Sequence, residues 1–211
     1  MYIDASASND FENFCPLIVT LQMVVAAFNP SLTSGTQIGG LLFSDNIKNR
    51  RPSTVFSVGT PCVNAVEGTD KSLLSLMLDF GVCLNNSGIY DSNKFPSLCG
   101  EGTSAVEGLR EIYNIASSTR SSKESSILML TDGVIQDDAI ERSRVLSDLR
   151  SAGVNTLIAA GIGDADVENL KLYTSSSADN VLIGSDPVEL GIDIVNHMAN
   201  KSILCPDHGS F

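Results

Sequence analysis

Five oxygen-bearing side chains stand at three points of the 211-residue sequence where they could bind a metal ion together. They are Asp4, Ser6, Ser8, Thr103 and Asp132. This set offers two carboxylates and three hydroxyls, and it contains no histidine or cysteine. Hard oxygen donors prefer hard cations, so the set predicts Mg²⁺, Mn²⁺ or Ca²⁺ and not zinc or copper.

Such a site would leave room for a ligand from outside the chain. Mg²⁺ takes six ligands and readily keeps water, so a set of five partial ligands leaves an exchangeable position facing solvent. A carboxylate of a partner could fill that position. The alternative is that the same residues only cap helices and turns, where Ser, Thr and Asp are favoured without any metal.

Apolar periodicity predicts the elements that must position these residues. Runs typical of strands alternate with amphipathic runs typical of helices. The predicted strands lie at 1–4, 36–44, 54–59, 126–130, 154–161 and 180–183, and the predicted helices at 9–28, 70–84, 104–116, 137–150, 166–173 and 187–200. The first helix has a predicted apolar stripe of Phe11, Phe14, Ile18, Leu21, Val25 and Phe28. This alternation indicates an α/β fold, in which a mostly parallel sheet has helices on both faces and binds ligands at the carboxyl ends of its strands.

The three motifs in their order resemble the metal-ion-dependent adhesion site (MIDAS) of von Willebrand factor type A (vWA) domains. The residues concerned are Asp-x-Ser-x-Ser at 4–8, Gly-Thr at 102–103 and Thr-Asp-Gly at 131–133. The segment TQIGGLLFSDNIK is similar to the family's second strand, and AGVNTLIAAGIGDADVENLKLYTS to its fifth strand and following helix. The resemblance covers nearly the whole chain. It implies a single domain over 1–211, with a Rossmann-like three-layer sandwich and one antiparallel edge strand.

The resemblance also implies a role for each residue of the site. Ser6 and Ser8 would bind the cation directly, and Asp4 and Asp132 would bind it directly or through water. Thr103 would join or leave the metal as the site changes state, and a partner's carboxylate would complete the octahedron. In relatives this change is coupled to a shift of the last helix, which corresponds here to 187–200.

The sequence departs from the family's pattern in three places. Ala7 stands where a glycine is usual between the two serines. The first strand is shorter than in relatives, which predicts a fragment or a cleaved product. The segment 85–101 is longer than the usual connection, and we expect it to lie beside the metal and to give individual specificity.

Composition limits the partners. The net charge of −12 disfavours nucleic acid and anionic membrane surfaces. The longest apolar stretch, 17–28, is too short to span a bilayer, so no membrane insertion is expected. Among five cysteines, Cys83 and Cys99 could form a bridge that closes a polar loop, or the cysteines could be buried free thiols.

These observations predict a binding module that grips an acidic residue of a protein partner, and not an enzyme. An extracellular or cell-surface setting, such as adhesion to a matrix protein, is favoured, and a cytoplasmic scaffold in a larger assembly is the alternative. A phosphatase of the haloacid dehalogenase type is a remote alternative, because Ser6 stands where a second acid is needed. His197 and His208 both lie near the C-terminus, so a serine hydrolase would lack its base.

Overall fold

The structure is a computed structural model that describes most of the second half of the chain and parts of the first. The described residues are 2–4, 17, 20–21, 23–24, 27, 38–43, 54–58, 104–119, 125–131, 133, 135–175 and 177–201. The predicted helix at 70–84, the segment 85–101 and all five cysteines lie outside them. No helix of the described part is long and apolar enough to cross a membrane.

Six strands form one sheet. They are β1 (Tyr2–Asp4), β2 (Ile38–Phe43), β3 (Thr54–Val58), β4 (Ser125–Thr131), β5 (Val154–Ile162) and β6 (Val181–Gly184), in the spatial order β3-β2-β1-β4-β5-β6. β1 pairs in parallel with β2 and β4, and β5 pairs in parallel with β4 and β6. β3 is antiparallel to β2. The carboxyl ends of the five parallel strands therefore meet at one edge, as the sequence predicts for the binding edge.

Among the described residues, four α-helices with complete bounds connect or follow these strands. They are α1 (Val106–Thr119), α2 (Ala139–Ser151), α3 (Val167–Lys171) and α4 (Pro187–Asn200). Asp138, Asp166 and Asp186 cap the last three, since each carboxylate accepts hydrogen bonds from two backbone N–H groups of the first turn. A 3₁₀ turn at Ala178–Asn180 precedes β6. Gly153 follows the end of α2 with a φ of 88°, a left-handed conformation that glycine adopts readily.

Both faces of the sheet are covered, which explains why its central strands are continuous apolar runs. Ile127 and Met129 of β4 belong to one buried cluster with Leu109 of α1 and Leu149 of α2. Because side chains alternate along a strand, the equally buried residues Leu128 and Leu130 point to the opposite face. The predicted α/β architecture is confirmed.

On the opposite face α4 contacts β5 and β6, and an N-terminal helical segment, described at 17, 20–21, 23–24 and 27, lies against α4. The hydroxyl of Thr20 donates to the carbonyl of Pro187 at 2.9 Å. Gly191 lies so close to this segment that a Cβ there would stand 2.7 Å from the Cβ of Met23. α4 is therefore fixed to the N-terminal segment through its first two turns.

The predicted apolar stripe of this segment is confirmed at Leu21, which is buried. The described buried residues of the segment are Leu17, Thr20, Leu21, Val24 and Ala27. Only Leu21 belongs to the predicted stripe; the side chains of the other five members lie outside the described set. Thr20 is polar and buried, and its hydrogen bond to the carbonyl of Pro187 gives its hydroxyl a partner there.

Candidate functional site

Asp4 ends β1 with a carboxylate that is 0% exposed to solvent. Its Oδ2 accepts a 2.5 Å hydrogen bond from the hydroxyl of Thr131, the last residue of β4. The parallel register explains this contact, because Ile3 is opposite Leu130 and the next residue of each strand then lies side by side. A buried ionised carboxylate is costly unless donors or a cation compensate it.

The Thr131 side chain contacts both Asp4 and the backbone that follows β4. Its Oγ1 accepts a 3.2 Å hydrogen bond from the backbone N–H of Gly133. One hydroxyl thus joins the carboxylate of β1 to the turn that contains Asp132. Asp4 of the first predicted motif therefore lies beside Thr131 of the third, at the carboxyl ends of their strands.

The helix that follows the second motif begins without a capping side chain of its own. Ala105 directly precedes α1, and alanine has no oxygen to accept the free N–H groups of a first turn. Asp137, which lies 32 residues away in the sequence, supplies the missing acceptor oxygen. Its Oδ1 accepts a hydrogen bond from the Ala105 N–H at 3.0 Å. The same oxygen accepts from the Ser104 hydroxyl at 2.7 Å and from the Val106 N–H at 3.4 Å.

The segment that contains Asp137 is in turn held by α3 and the turn after it. The side-chain amide of Asn169 accepts from the Ile135 N–H at 3.0 Å and donates to the Ile135 carbonyl at 3.1 Å. The hydroxyl of Tyr173 donates to Oδ2 of Asp137 at 2.7 Å. Burial, together with the charge and hydrogen bond of Asp137, raises the pKa of Tyr173 far above its ordinary value, so the phenol stays a donor.

The structure describes one of the five predicted ligands, Asp4; the others, Ser6, Ser8, Thr103 and Asp132, lie outside the described residues. The immediate neighbours of two of them are described, since Ser104 follows Thr103 and Thr131 precedes Asp132. Sequence reasoning missed the supporting residues Asp137, Asn169 and Tyr173. For Asp137 a signal exists, because an alanine at the cap position of α1 implies a cap from elsewhere in the chain.

The described residues fit a hard divalent cation. The only predicted ligand among them is a fully buried carboxylate, and all the predicted donors are oxygens, as Mg²⁺ and Mn²⁺ prefer. Within the described ranges, no three His, Cys, Asp or Glu side chains form a metal-binding group by themselves. A site here therefore depends on the serine, threonine and aspartate positions of the three motifs.

His197 lies at the opposite ends of the strands from Asp4, near the amino end of β6. Its Nε2 is 3.2 Å from the Oδ1 of Asn180, which directly precedes the amino end of β6. Asp4 stands at the carboxyl end of β1, so His197 cannot act as a base beside it. This placement agrees with the expectation that His197 is not part of the site.

The environment of His197 predicts a small dependence of stability on pH. Burial and, second, the charge of Lys201 lower the pKa of His197, against the pull of Asp179. The neutral form of His197 is thus favoured in the folded state. Its contribution to the free energy of unfolding is fully present above the unfolded pKa of about 6.5 and is lost as the pH drops below that value. When the pH is lowered from 7 to 5, the free energy of unfolding measured by urea denaturation should fall less in His197→Gln than in the wild type. Equal losses would contradict this assignment.

Solved structures share this fold over almost the whole chain. A von Willebrand factor type A protein from Catenulispora acidiphila has a TM-score of 0.62 at 16% identity, over 94% of this chain and 41% of that chain. Proximal thread matrix protein 1 from the mussel byssus, with zinc in its MIDAS motif, has a TM-score of 0.63 at 20% identity, over 94% and 44%. The manganese-loaded TRAP protein of Plasmodium vivax gives 0.64 at 15% identity, over 93% and 70%.

These comparisons define the class of fold. The chain has the fold of a vWA domain, as the motif resemblance predicted. It spans less than half the length of the first two of these proteins. No family model matches the sequence, and no curated protein matches it. The metals bound by these neighbours are zinc in the MIDAS motif of the mussel protein and manganese in the TRAP protein.

Proposed function

We infer that the chain is a protein-binding module of the adhesion type, whose grip on a partner depends on a divalent cation. The observation that carries this proposal is the fully buried Asp4 carboxylate, hydrogen-bonded to the threonine that precedes Asp132. The ligands would be Asp4, Ser6, Ser8, Thr103 and Asp132. Mg²⁺ is the first candidate for the cation, with Mn²⁺ or Ca²⁺ as alternatives.

The cation would act as an acceptor for a carboxylate of the partner. The chain's own residues prepare that role. Asp4 and Asp132 contribute negative charge that can offset a divalent ion, and Thr131 holds the Asp4 carboxylate in one orientation. The serine and threonine hydroxyls are neutral ligands, which leave the metal able to attract one further anion.

The proposal extends to one domain over 1–211 and to a binding role without catalysis. Solved vWA structures cover more than nine-tenths of the chain, which supports the single domain. A pilus adhesin from Lactobacillus rhamnosus GG also shares the fold, with a TM-score of 0.58 at 15% identity, over 95% of this chain and 30% of that chain. It supports an extracellular or cell-surface setting, with a matrix or cell-surface protein as partner.

The first test is calorimetric titration of metal-stripped protein with Mg²⁺ and with Mn²⁺. We expect one saturable site, and Thr103→Ala should weaken it about tenfold, since water can replace a neutral hydroxyl for about 1.4 kcal/mol. Asp148→Ala is the matched control, because Asp148 is an exposed residue of α2 at the far end from the site. A titration without saturable heat, or equal affinity in Thr103→Ala, would rule out this cation site.

The partner's chemistry can be tested without knowing the partner. Water bound to Mn²⁺ in the loaded protein speeds the relaxation of solvent protons, and a carboxylate that takes its place should reduce this effect. We expect acetate to do so and acetamide, its neutral analogue, not to do so. Equal effects of the two compounds would contradict recognition of an acidic residue.

A further inference from the structure

The carboxylate of Asp137 links the segment directly after Thr103 to the segment that follows Asp132. Ser104, which follows Thr103, donates its hydroxyl to Oδ1 of Asp137 at 2.7 Å. Asp137 itself follows Asp132 by five residues in the same β4–α2 connection. A single side chain therefore fixes the distance between two segments that lie 33 residues apart in the sequence.

Both oxygens of this carboxylate are fully used by the protein. Oδ1 accepts from the Ser104 hydroxyl and from the N–H groups of Ala105 and Val106. Oδ2 accepts from the Ala105 N–H at 3.2 Å and from the Tyr173 hydroxyl at 2.7 Å. With these donors in place, Asp137 is not available to bind a cation directly. Its negative charge also lies at the positive end of the α1 dipole, which strengthens the contact.

Asp137 is held against a rigid support. Tyr173 is 1% exposed, and its ring has the guanidinium of Arg142 at 5.5 Å from its centroid. Asn169, one turn before Tyr173, holds the backbone of Ile135 by two hydrogen bonds. A displacement of Asp137 would therefore break contacts with α1 and with the segment 169–173 at once.

We propose that Asp137 is a positioning residue, which sets the placement of Thr103 relative to Asp132 and thereby the affinity of the cation site. The proposal rests on the proposed function, because it assumes that Thr103 and Asp132 bind the cation. Groups that orient metal ligands typically change affinity about 10- to 100-fold when they are replaced. The physical cause is that loops already held in place need not be ordered when the metal binds.

The test is titration of metal-stripped protein with Mn²⁺ alone at a temperature where circular dichroism shows every variant folded. We expect Asp137→Asn to bind Mn²⁺ about 10- to 100-fold more weakly than the wild type. Ser104→Ala and Tyr173→Phe should weaken binding several-fold. These two variants leave the net charge unchanged, so loss of attraction between charges cannot explain their effect.

Asp148→Asn is the matched control for charge. Asp148 is exposed on α2, the helix that follows Asp137, about 13 Å along its axis from the first residue of α2, which is beyond the screening distance at physiological salt. It should change the affinity less than about twofold. An equal loss in Asp148→Asn and Asp137→Asn would overturn the proposal in favour of a general charge effect.

A structural role alone predicts a different pattern. If Asp137 only caps α1, Asp137→Asn lowers the melting temperature in chelator while the Kd for Mn²⁺ stays at the wild-type value, and the proposal is wrong. If the wild type itself shows no Mn²⁺ site that Thr103→Ala weakens, the proposed function fails, and the positioning role fails with it. Weaker binding in all three variants, with Asp148→Asn unchanged, supports both.

Discussion

Asp4→Asn is expected to weaken cation binding on the order of 100-fold, while β1 and β4 stay paired in the metal-free protein. The wild-type side chain is a carboxylate with 0% exposure, whose negative charge would attract the metal. Asparagine has the same shape and keeps an oxygen that can accept the hydrogen bond from Thr131. The variant therefore loses the charge that attracts the metal without losing the contact between β1 and β4.

Thermal melts with metal and with chelator separate the two effects. At a metal concentration 100 times the wild-type Kd, binding stabilises the wild type by about 2.7 kcal/mol and a variant of 100-fold lower affinity by about 0.4 kcal/mol. Asp132→Asn is the companion variant, and it should lose binding to a similar degree. A marked fall in melting temperature of Asp4→Asn in chelator would show instead that the protein's own donors stabilise this carboxylate.

Gly161→Ala should destabilise the sheet strongly, although it adds a single methyl group. A Cβ at Gly161 would lie 2.4 Å from the Cβ of Ala165 and 2.7 Å from Cδ1 of Ile183. The Ala165 atom is attached directly to the backbone, so the chain after β5 must shift. We expect a loss of about 3 kcal/mol in the free energy of unfolding, measured by urea denaturation. The melting temperature should fall by about 6 to 12 °C.

Gly163→Ala is the control that separates the cost of a close contact from the cost of an unfavourable backbone conformation. Gly163 has a φ of 67° and no atom within 4 Å of an added Cβ. Alanine there must adopt the left-handed region, at a cost of about 1 kcal/mol. A loss in Gly163→Ala as large as in Gly161→Ala would mean that backbone strain, and not the contact with Ala165, limits the substitutions in this turn.

Gly161 also bears on the site, because it is paired with Thr131 of β4. A shift of β5 at this pair would move the hydroxyl that holds Asp4. We therefore expect Gly161→Ala to weaken Mn²⁺ binding in the protein that remains folded, whereas Gly163→Ala should keep the wild-type affinity.

Much of the fold follows from local patterns in the sequence. The apolar run SILML predicts β4, which the structure extends by one residue at each end. The pattern predicts a helix over 137–150; the structure begins α2 at Ala139, with Asp138 as its cap, whose carboxylate accepts from the N–H groups of Ile140 and Glu141. Pro187 at the start of α4 and Gly153 after α2 each have a backbone preference that acts within its own turn.

The residues that hold the loops of the site in place could not be predicted from local patterns. Asp137 looks like a second candidate for the cap of α2, and only the approach of α1 to the β4–α2 connection gives it Ser104 and Ala105 as partners. Asn169 and Tyr173 have an ordinary helical spacing, and nothing local distinguishes a side chain that donates to a distant loop from one that faces solvent.

By itself, the sequence determined the order of the described strands and helices, and it predicts the oxygen chemistry of the metal site. These depend on interactions between residues that are close in the chain. The tertiary structure decided the contact of Asp4 with Thr131 and the shared carboxylate of Asp137, across 127 and 33 residues. Such contacts depend on sheet register and on how helices lie on the sheet, which arise only when distant segments bury their apolar faces together.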